Sequence, residues 1–143
     1  MKKQGTVCFI TDQDKVLLAL IEYAPNNREW SGIGGFANEG EPLEDAIVRE
    51  FQEETYILVR KEDLKKAGEI AYPSMLLNAF VTDKWSGELK AKEPTIKELR
   101  WFSKNNLPYS EMHQGNDEWL PLILSGKLIR SNGLQIDELT SFT

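Results

Sequence analysis

GGFANEGEPLEDAIVREFQEETYI, residues 34–57, decides how the chain is read. It predicts a helix over 42–56, with Pro42 at the first helical position, where its missing N–H is not needed. At ~100° per residue with Leu43 at zero, Ile47 falls at about 40°, Phe51 at about 80° and Ala46 at about 300°. Glu50 falls at about 340° and Glu54 at about 20°, inside this apolar arc, while Glu53 lies beside it at about 280° and Arg49 at about 240°. A helix that only needed solubility would place these charges opposite Leu43 and Ile47. Like charges three and four residues apart repel, and carboxylates on a core-facing side lose hydration. Arg49 can neutralise one of them. A divalent cation answers the rest: magnesium, with manganese as a substitute, prefers carboxylate oxygens and keeps waters and substrate phosphates as its other ligands. The alternative is a set of solvated glutamates at the edge of an amphipathic helix. Gly34-Gly35 upstream favours the cation, because bare backbone can approach a metal or a phosphate.

Around this helix, residues 6–10 and 16–21 are β-rich runs about the turn Thr11-Asp12-Gln13-Asp14 and read as a hairpin. Residues 30–36 are glycine-rich and read as a loop entering a short strand. Further strands are expected at 70–71, 75–81 and 99–102, with a turn at Trp85-Ser86-Gly87-Glu88. A second helix is expected at 119–128, with Pro121 near its start and Gly126 near its end. The tail after Ser131 carries weak signals. Strands outnumber helices and both sheet faces need cover, which gives an α/β sandwich in one domain, residues 1–143.

The 143 residues suffice for one substantial core. A net charge of −6 argues against a polymeric nucleic-acid partner, which needs a basic stripe, but allows a single nucleotide. Cys8 is the lone cysteine, so a reducing cytoplasm is expected. The apolar run after Met1-Lys2-Lys3 is too short for a signal peptide, and no run approaches the ~20 apolar residues needed to cross a membrane.

The residues Gly35, Glu41, Arg49, Glu50, Phe51, Glu53, Glu54 and Ile57 have the spacing of the signature G-x5-E-x7-R-E-(apolar)-x-E-E-x-G-(apolar), and in this the chain resembles the Nudix hydrolases. One position departs: Tyr56 stands where the family has glycine, at the expected helix end, where a left-handed residue often closes the turn. Trp30-Ser31-Gly32-Ile33-Gly34-Gly35, the pair Trp101-Phe102 and residues 112–121 look like the MutT-like branch, and within it like enzymes that hydrolyse oxidised purine nucleoside triphosphates.

The resemblance implies a Nudix-type α/β/α sandwich with a mixed sheet between helices. It implies cleavage of a nucleoside triphosphate, an oxidised purine nucleotide included, to monophosphate and pyrophosphate by a monomer or homodimer. Glu50, Glu53 and Glu54 resemble metal-binding carboxylates, with the Gly34 carbonyl a further ligand. Arg49 and Glu41 resemble the pair that holds the loop to the helix. Glu53 is the first choice for general base and Glu98 the second; Glu98 reads equally well as a solvated strand residue. In the oxidised-purine branch an asparagine follows the loop tryptophan and two neighbouring aspartates read the base. Here those positions hold Ser31, Gly115 and Asn116, with Asp117 one place on, so the hydrogen-bond pattern differs. The stretch 115–117 also reads as an ordinary helix-capping turn. Tyr72 resembles an aromatic of the base pocket, or packs in the core; His113 matches a pocket position or is exposed. Two alternatives stand beside this reading. One is another nucleoside diphosphate-linked substrate, such as a nucleotide sugar or dinucleoside polyphosphate. The other is a non-catalytic nucleotide-sensing domain, which the complete glutamate set disfavours.

Overall fold

The computed structural model describes residues 2–142; Met1 and Thr143, the ends of the expected domain, lie outside them. In β1 (Lys3–Asp12) Val7 and Phe9 pack on one side and Cys8 and Ile10 on the other, all buried. In β2 (Lys15–Ala24) Val16 and Leu18 alternate with Leu17 and Ala19 in the same way. Strands apolar on both faces need a layer over each. Helix α1 (Leu43–Glu54) covers one with Ile47 and Phe51, and helix α2 (Asn116–Leu124) covers the other with Trp119, Leu120 and Ile123. Each such side chain stabilises the fold by about 1.5–3 kcal/mol. The α/β/α sandwich expected from the sequence is therefore the fold.

The remaining strands are β3 (Asn27–Ser31), β4 (Thr55–Leu58), β5 (Lys65–Ala71), β6 (Met75–Thr82), β7 (Ser86–Ala91), β8 (Ile96–Ser103), β9 (Leu128–Ser131) and β10 (Ile136–Leu139). The mixed sheet runs β10-β9-β5-β6-β1-β2-β3, with β8 on the other edge of β2. The pairs β1–β6 and β5–β9 are parallel. β1 and β2 pair only at Thr11–Val16 and Asp12–Lys15, next to the turn at Gln13-Asp14; Thr11 and Asp12 belong to the strand rather than to the expected turn. Away from that turn the two strands part, and residues 33–36 run along β1 through the bridges Cys8–Ile33 and Gly5–Phe36. The glycine-rich stretch is thus the reverse of the expected order: the end of strand β3, Trp30 and Ser31, opens it, and the loop follows.

Pro42 has extended backbone (ψ 143°), which places it before the first helical residue rather than at it. The helix also stops sooner, at Glu54. Thr55 is extended, its amide and hydroxyl both donate to the Phe51 carbonyl, and its Oγ1 accepts from the Ile57 amide. The helix closes on Thr55 with no left-handed residue, so Tyr56 is an ordinary strand residue of β4. Its ring is half-exposed beneath the ammonium groups of Lys90 and Lys92, at 5.4 and 4.8 Å from its centroid. Tyr56→Gly is accordingly expected to destabilise by about 1 kcal/mol, through lost strand propensity and the two cation–π contacts. A urea midpoint that stayed constant or rose would contradict this.

Three other expectations change. The turn at 85–88 is instead the start of β7, which pairs with β4 around Gly87 (φ 87°). The second helix starts earlier, at Asn116, and ends earlier, at Leu124, because Gly126 (φ 93°) breaks it and Leu128 opens β9. The tail forms the β9–β10 hairpin.

Candidate active site

The loop that separates β1 from β2 is held by the backbone. The Cys8 amide donates to the Ile33 carbonyl at 2.7 Å, and the Thr6 amide and hydroxyl both donate to the Gly35 carbonyl, at 2.8 and 2.9 Å. Glycine is required at Gly34, where a Cβ would stand 2.0 Å from the Thr6 carbonyl oxygen; a Cβ on Gly35 would stand 2.7 Å from Glu50 Oε1 and displace that carboxylate. The loop lies flat on β1 on one side and against a helix carboxylate on the other.

Arg49 ties these parts together. Its Nε and Nη2 donate to the two Glu41 oxygens at 2.9 and 3.0 Å, and Nη2 also reaches the Phe36 carbonyl at 3.1 Å. Its Nη1 bonds Glu50 Oε1 at 3.0 Å and Glu53 Oε2 at 3.3 Å. The hydrogen bond from Arg49 holds the Glu41 carboxyl below its usual range. The expected loop-to-helix pair is present, and the same guanidinium serves two of the helix glutamates.

The helix geometry follows the sequence reading: the Glu50 side chain is 14% exposed and that of Glu53 55%. Burial first, then the hydrogen bond and charge of Glu50, and then the charges of Glu93 and Glu53, push the Glu54 carboxyl up to about 8. Its Oε2 is buried without a hydrogen-bond partner. Among the described residues no three acidic, histidine or cysteine side chains stand arranged to hold a metal ion as they are, since Arg49 engages Glu50 and Glu53. The paired Glu50 and Glu54 nonetheless fit a cation, for an orphaned carboxylate oxygen beside a second carboxylate lacks a positive partner. Free magnesium is expected to raise the melting temperature in proportion to the logarithm of its concentration. Glu54→Gln should raise the metal-free value and blunt that response; melting indifferent to both would refute the fit.

A cavity of about 550 Å³ joins this region to an aromatic pocket. Gly34, Gly35 and Glu54 line it with Trp30, Ser31, Tyr72, His113, Asn116 and Trp119. Tyr72 and His113 meet edge to face, 5.5 Å between centroids, so both belong to the pocket wall. Two expected residues are elsewhere. Asp117 is exposed and outside the cavity lining, because the next helical position turns away from Asn116. Glu98 faces Leu20 across the β2–β8 pairing and is bound by Arg100 at 2.6 Å, also outside the lining; the charge from beyond β7 that reaches Glu54 is that of Glu93. The lining also includes Tyr23, Asn27, Glu29 and Phe36, which the sequence reading passed over. The turn chemistry of Pro25-Asn26, with Asn26 left-handed at φ 65°, was the available signal for the β2–β3 hairpin that carries the first three.

The family model of the NUDIX domain matches residues 1–123. The chain is 34% identical over 103 residues to the NAD-capped RNA hydrolase NudC of Vibrio vulnificus, a match covering 71% of this chain and 40% of that protein. The chain therefore corresponds to well under two thirds of the length of that relative. It is 28% identical over 130 residues to the oxidized purine nucleoside triphosphate hydrolase of Mus musculus, covering 85% and 80%. Its fold matches a MutT protein from Bacillus halodurans with a TM-score of 0.67 at 20% identity, over 97% of this chain and 99% of that one. The chain belongs to the NUDIX family, hydrolases of phosphoric anhydride bonds that act on nucleoside diphosphate-linked substrates and generally use divalent metal ions.

Proposed function

We propose that this NUDIX hydrolase acts on a nucleoside triphosphate, oxidised purine nucleotides included, and releases the monophosphate and pyrophosphate, as one cytoplasmic domain over 1–143 that is a monomer or homodimer. The observation that carries the reading is the cavity that runs from Gly34, Gly35 and the helix carboxylate Glu54 to an aromatic pocket suited to a base. The similarity to the mouse enzyme, which extends over most of both chains, supports it. Among the described residues no helix is long and apolar enough to cross a membrane.

In this mechanism Glu50, Glu53, Glu54 and the Gly34 carbonyl would hold magnesium or manganese; the Gly35 carbonyl is already taken by Thr6. Such an ion, when bound there, would supply charge neutralisation for phosphate oxygens and a lowered pKa for a water. Glu53 accepts the proton as the water oxygen bonds to phosphorus, and the pyrophosphate oxygen leaves with the electrons of the broken P–O bond. Arg49 keeps Glu50 and Glu53 in place and the loop against the helix. Asn116 and Ser31 present an amide and a hydroxyl to the base, and Tyr72 and His113 present aromatic surface.

The base readers here are neutral, so the preference for oxidised over normal guanine is expected to stay below ~1000-fold, about 4 kcal/mol. Specificity constants for dGTP and its 8-oxo form test this: a larger ratio, abolished by Asp117→Asn, would show that Asp117 reaches the base after all. A second reading has its own support. Among the described residues no lysine or arginine lines the cavity, which suits a diphosphate diester, with less charge than a triphosphate. The NudC match points the same way. Monophosphate release from a nucleotide sugar or dinucleotide, without pyrophosphate release from any triphosphate, would select it. Metal-dependent turnover of any nucleotide would exclude a pure sensor.

A further inference from the structure

The cavity carries negative charge that its own walls do not answer. Glu54 and Glu29 line it, and among the described residues no lysine or arginine does. The proposed metal accounts for Glu54 but not for Glu29, which comes from the β2–β3 hairpin. The basic residues beside it in the sheet are spent on another carboxylate: Arg28 Nε binds Glu22 Oε1 at 3.1 Å, and Lys97 Nζ reaches Glu22 Oε2 at 3.4 Å. Glu29 is half-buried, and among the described residues its carboxylate has no ion-pair or hydrogen-bond partner. In β3, Trp30 packs in the same core as Trp119, so the preceding Glu29 faces the other side of the sheet. There it stands opposite Ile21 in the β2–β3 register, with Tyr23 two residues further along β2, and all three line the cavity. Side chains so placed across two antiparallel strands are within reach of one another. Tyr23 is 59% exposed, which leaves its ring open to a ligand. A ligand with its base against Trp119 and its anhydride at Gly34, Gly35 and Glu54 therefore brings its other half to Glu29 and Tyr23.

We infer that Glu29 and Tyr23 form a subsite for a positively charged ring, so that the second half of the substrate is a cationic heterocycle such as a pyridinium or an N-alkylated purine. The carboxylate supplies the counter-charge, and the face of a tyrosine attracts a cation within about 6 Å of its centroid. An organic cation suits this pair better than a second metal ion. Magnesium demands several oxygen ligands, whereas here one carboxylate stands beside an aromatic face. Charge then balances along the cavity, with the metal at the phosphates and the ring at Glu29. Glu29 and Tyr23 are specificity-determining residues in this arrangement. The inference rests on the second reading above, in which the substrate is a diphosphate diester.

A nicotinamide dinucleotide is the probe, because its oxidised form carries a pyridinium ring and its reduced form a neutral ring of nearly the same size. In the wild-type protein with magnesium, kcat/KM is expected to be about tenfold higher for the oxidised form. Glu29→Gln should remove that advantage by weakening the oxidised form alone, with the reduced form within about twofold of its wild-type value. Tyr23→Leu should do the same and Tyr23→Phe should not, since phenylalanine keeps the ring face. Dissociation constants measured by calorimetry without metal should follow the same order. Equal constants for the two forms, or a loss shared equally by both in Glu29→Gln, overturn the inference and leave the diester reading in place. Loss of the magnesium-induced rise in melting temperature in Glu29→Gln would make Glu29 a metal ligand and would also overturn it. Pyrophosphate release from a triphosphate with turnover of neither dinucleotide overturns the diester reading itself, and this inference with it.

Discussion

Glu53→Gln is expected to lower kcat by about 10²–10⁴-fold, the usual worth of a positioned general base, with KM nearly unchanged. The other two helix glutamates are committed. Glu50 is pressed against Gly35 and bonded to Arg49, and Glu54 is half-buried against Glu50. Glu53 is the most open of the three and meets only the longer Arg49 contact at 3.3 Å. Glutamine keeps the size and the hydrogen bond from Arg49 while removing the proton acceptor, so folding should be preserved. Retention of more than a tenth of wild-type kcat would remove Glu53 from that role. If Glu98→Gln instead gave the larger loss, the strand β8 carboxylate would have to move to the phosphates, away from Arg100.

The second large effect concerns stability. Gly34→Ala is expected to destabilise by about 3 kcal/mol or more, the upper range for forcing atoms into a packed site. Its Cβ would meet the Thr6 carbonyl oxygen at 2.0 Å, and that carbonyl is backbone, with no side-chain torsion to relieve the clash. Either β1 or the loop must shift, and the loop carries the carbonyl proposed for the metal. Gly40→Ala is the control. Gly40 is left-handed at φ 76° with open space around it, so alanine there should lose only about 1 kcal/mol. Urea unfolding of the two variants decides the matter: equal losses would mean that the contact between Gly34 and Thr6 is slack.

The sequence showed helix α1 more clearly than its surroundings, for a physical reason. Helical periodicity is local, so the placement of Glu50 and Glu54 inside the apolar arc could be computed from spacing alone and matches their burial. The continuous apolar runs of β1 and β2 likewise gave strands covered on both sides. What stayed hidden depends on distant partners. β7 is exposed along most of its length, and only its pairing with β4 makes it a strand. Tyr56 looked strained because the motif assigns glycine there, and the remedy lay one residue earlier, in the side chain of Thr55. Glu98 sits at the expected position in the chain, but the register of β8 against β2 sets it apart from the cavity, and register is not written in one strand. The pocket residues Tyr23, Asn27 and Glu29 come from a hairpin that lies beside the loop only because β1 and β2 diverge.

That divergence limits how portable the motif is. The stretch 34–57 looks like a cassette that could be grafted whole into another scaffold. It is not self-contained: the Gly35 carbonyl is gripped twice by Thr6, and Ala37 donates its amide to the Gln4 carbonyl at 2.9 Å. The smallest transplantable unit is therefore two discontinuous pieces, residues 4–8 together with 32–57. A host would have to offer a strand whose hairpin partner leaves it after the first pairs. Scaffolds whose hairpins stay zipped along their length have no slot for it, however well the helix itself is copied.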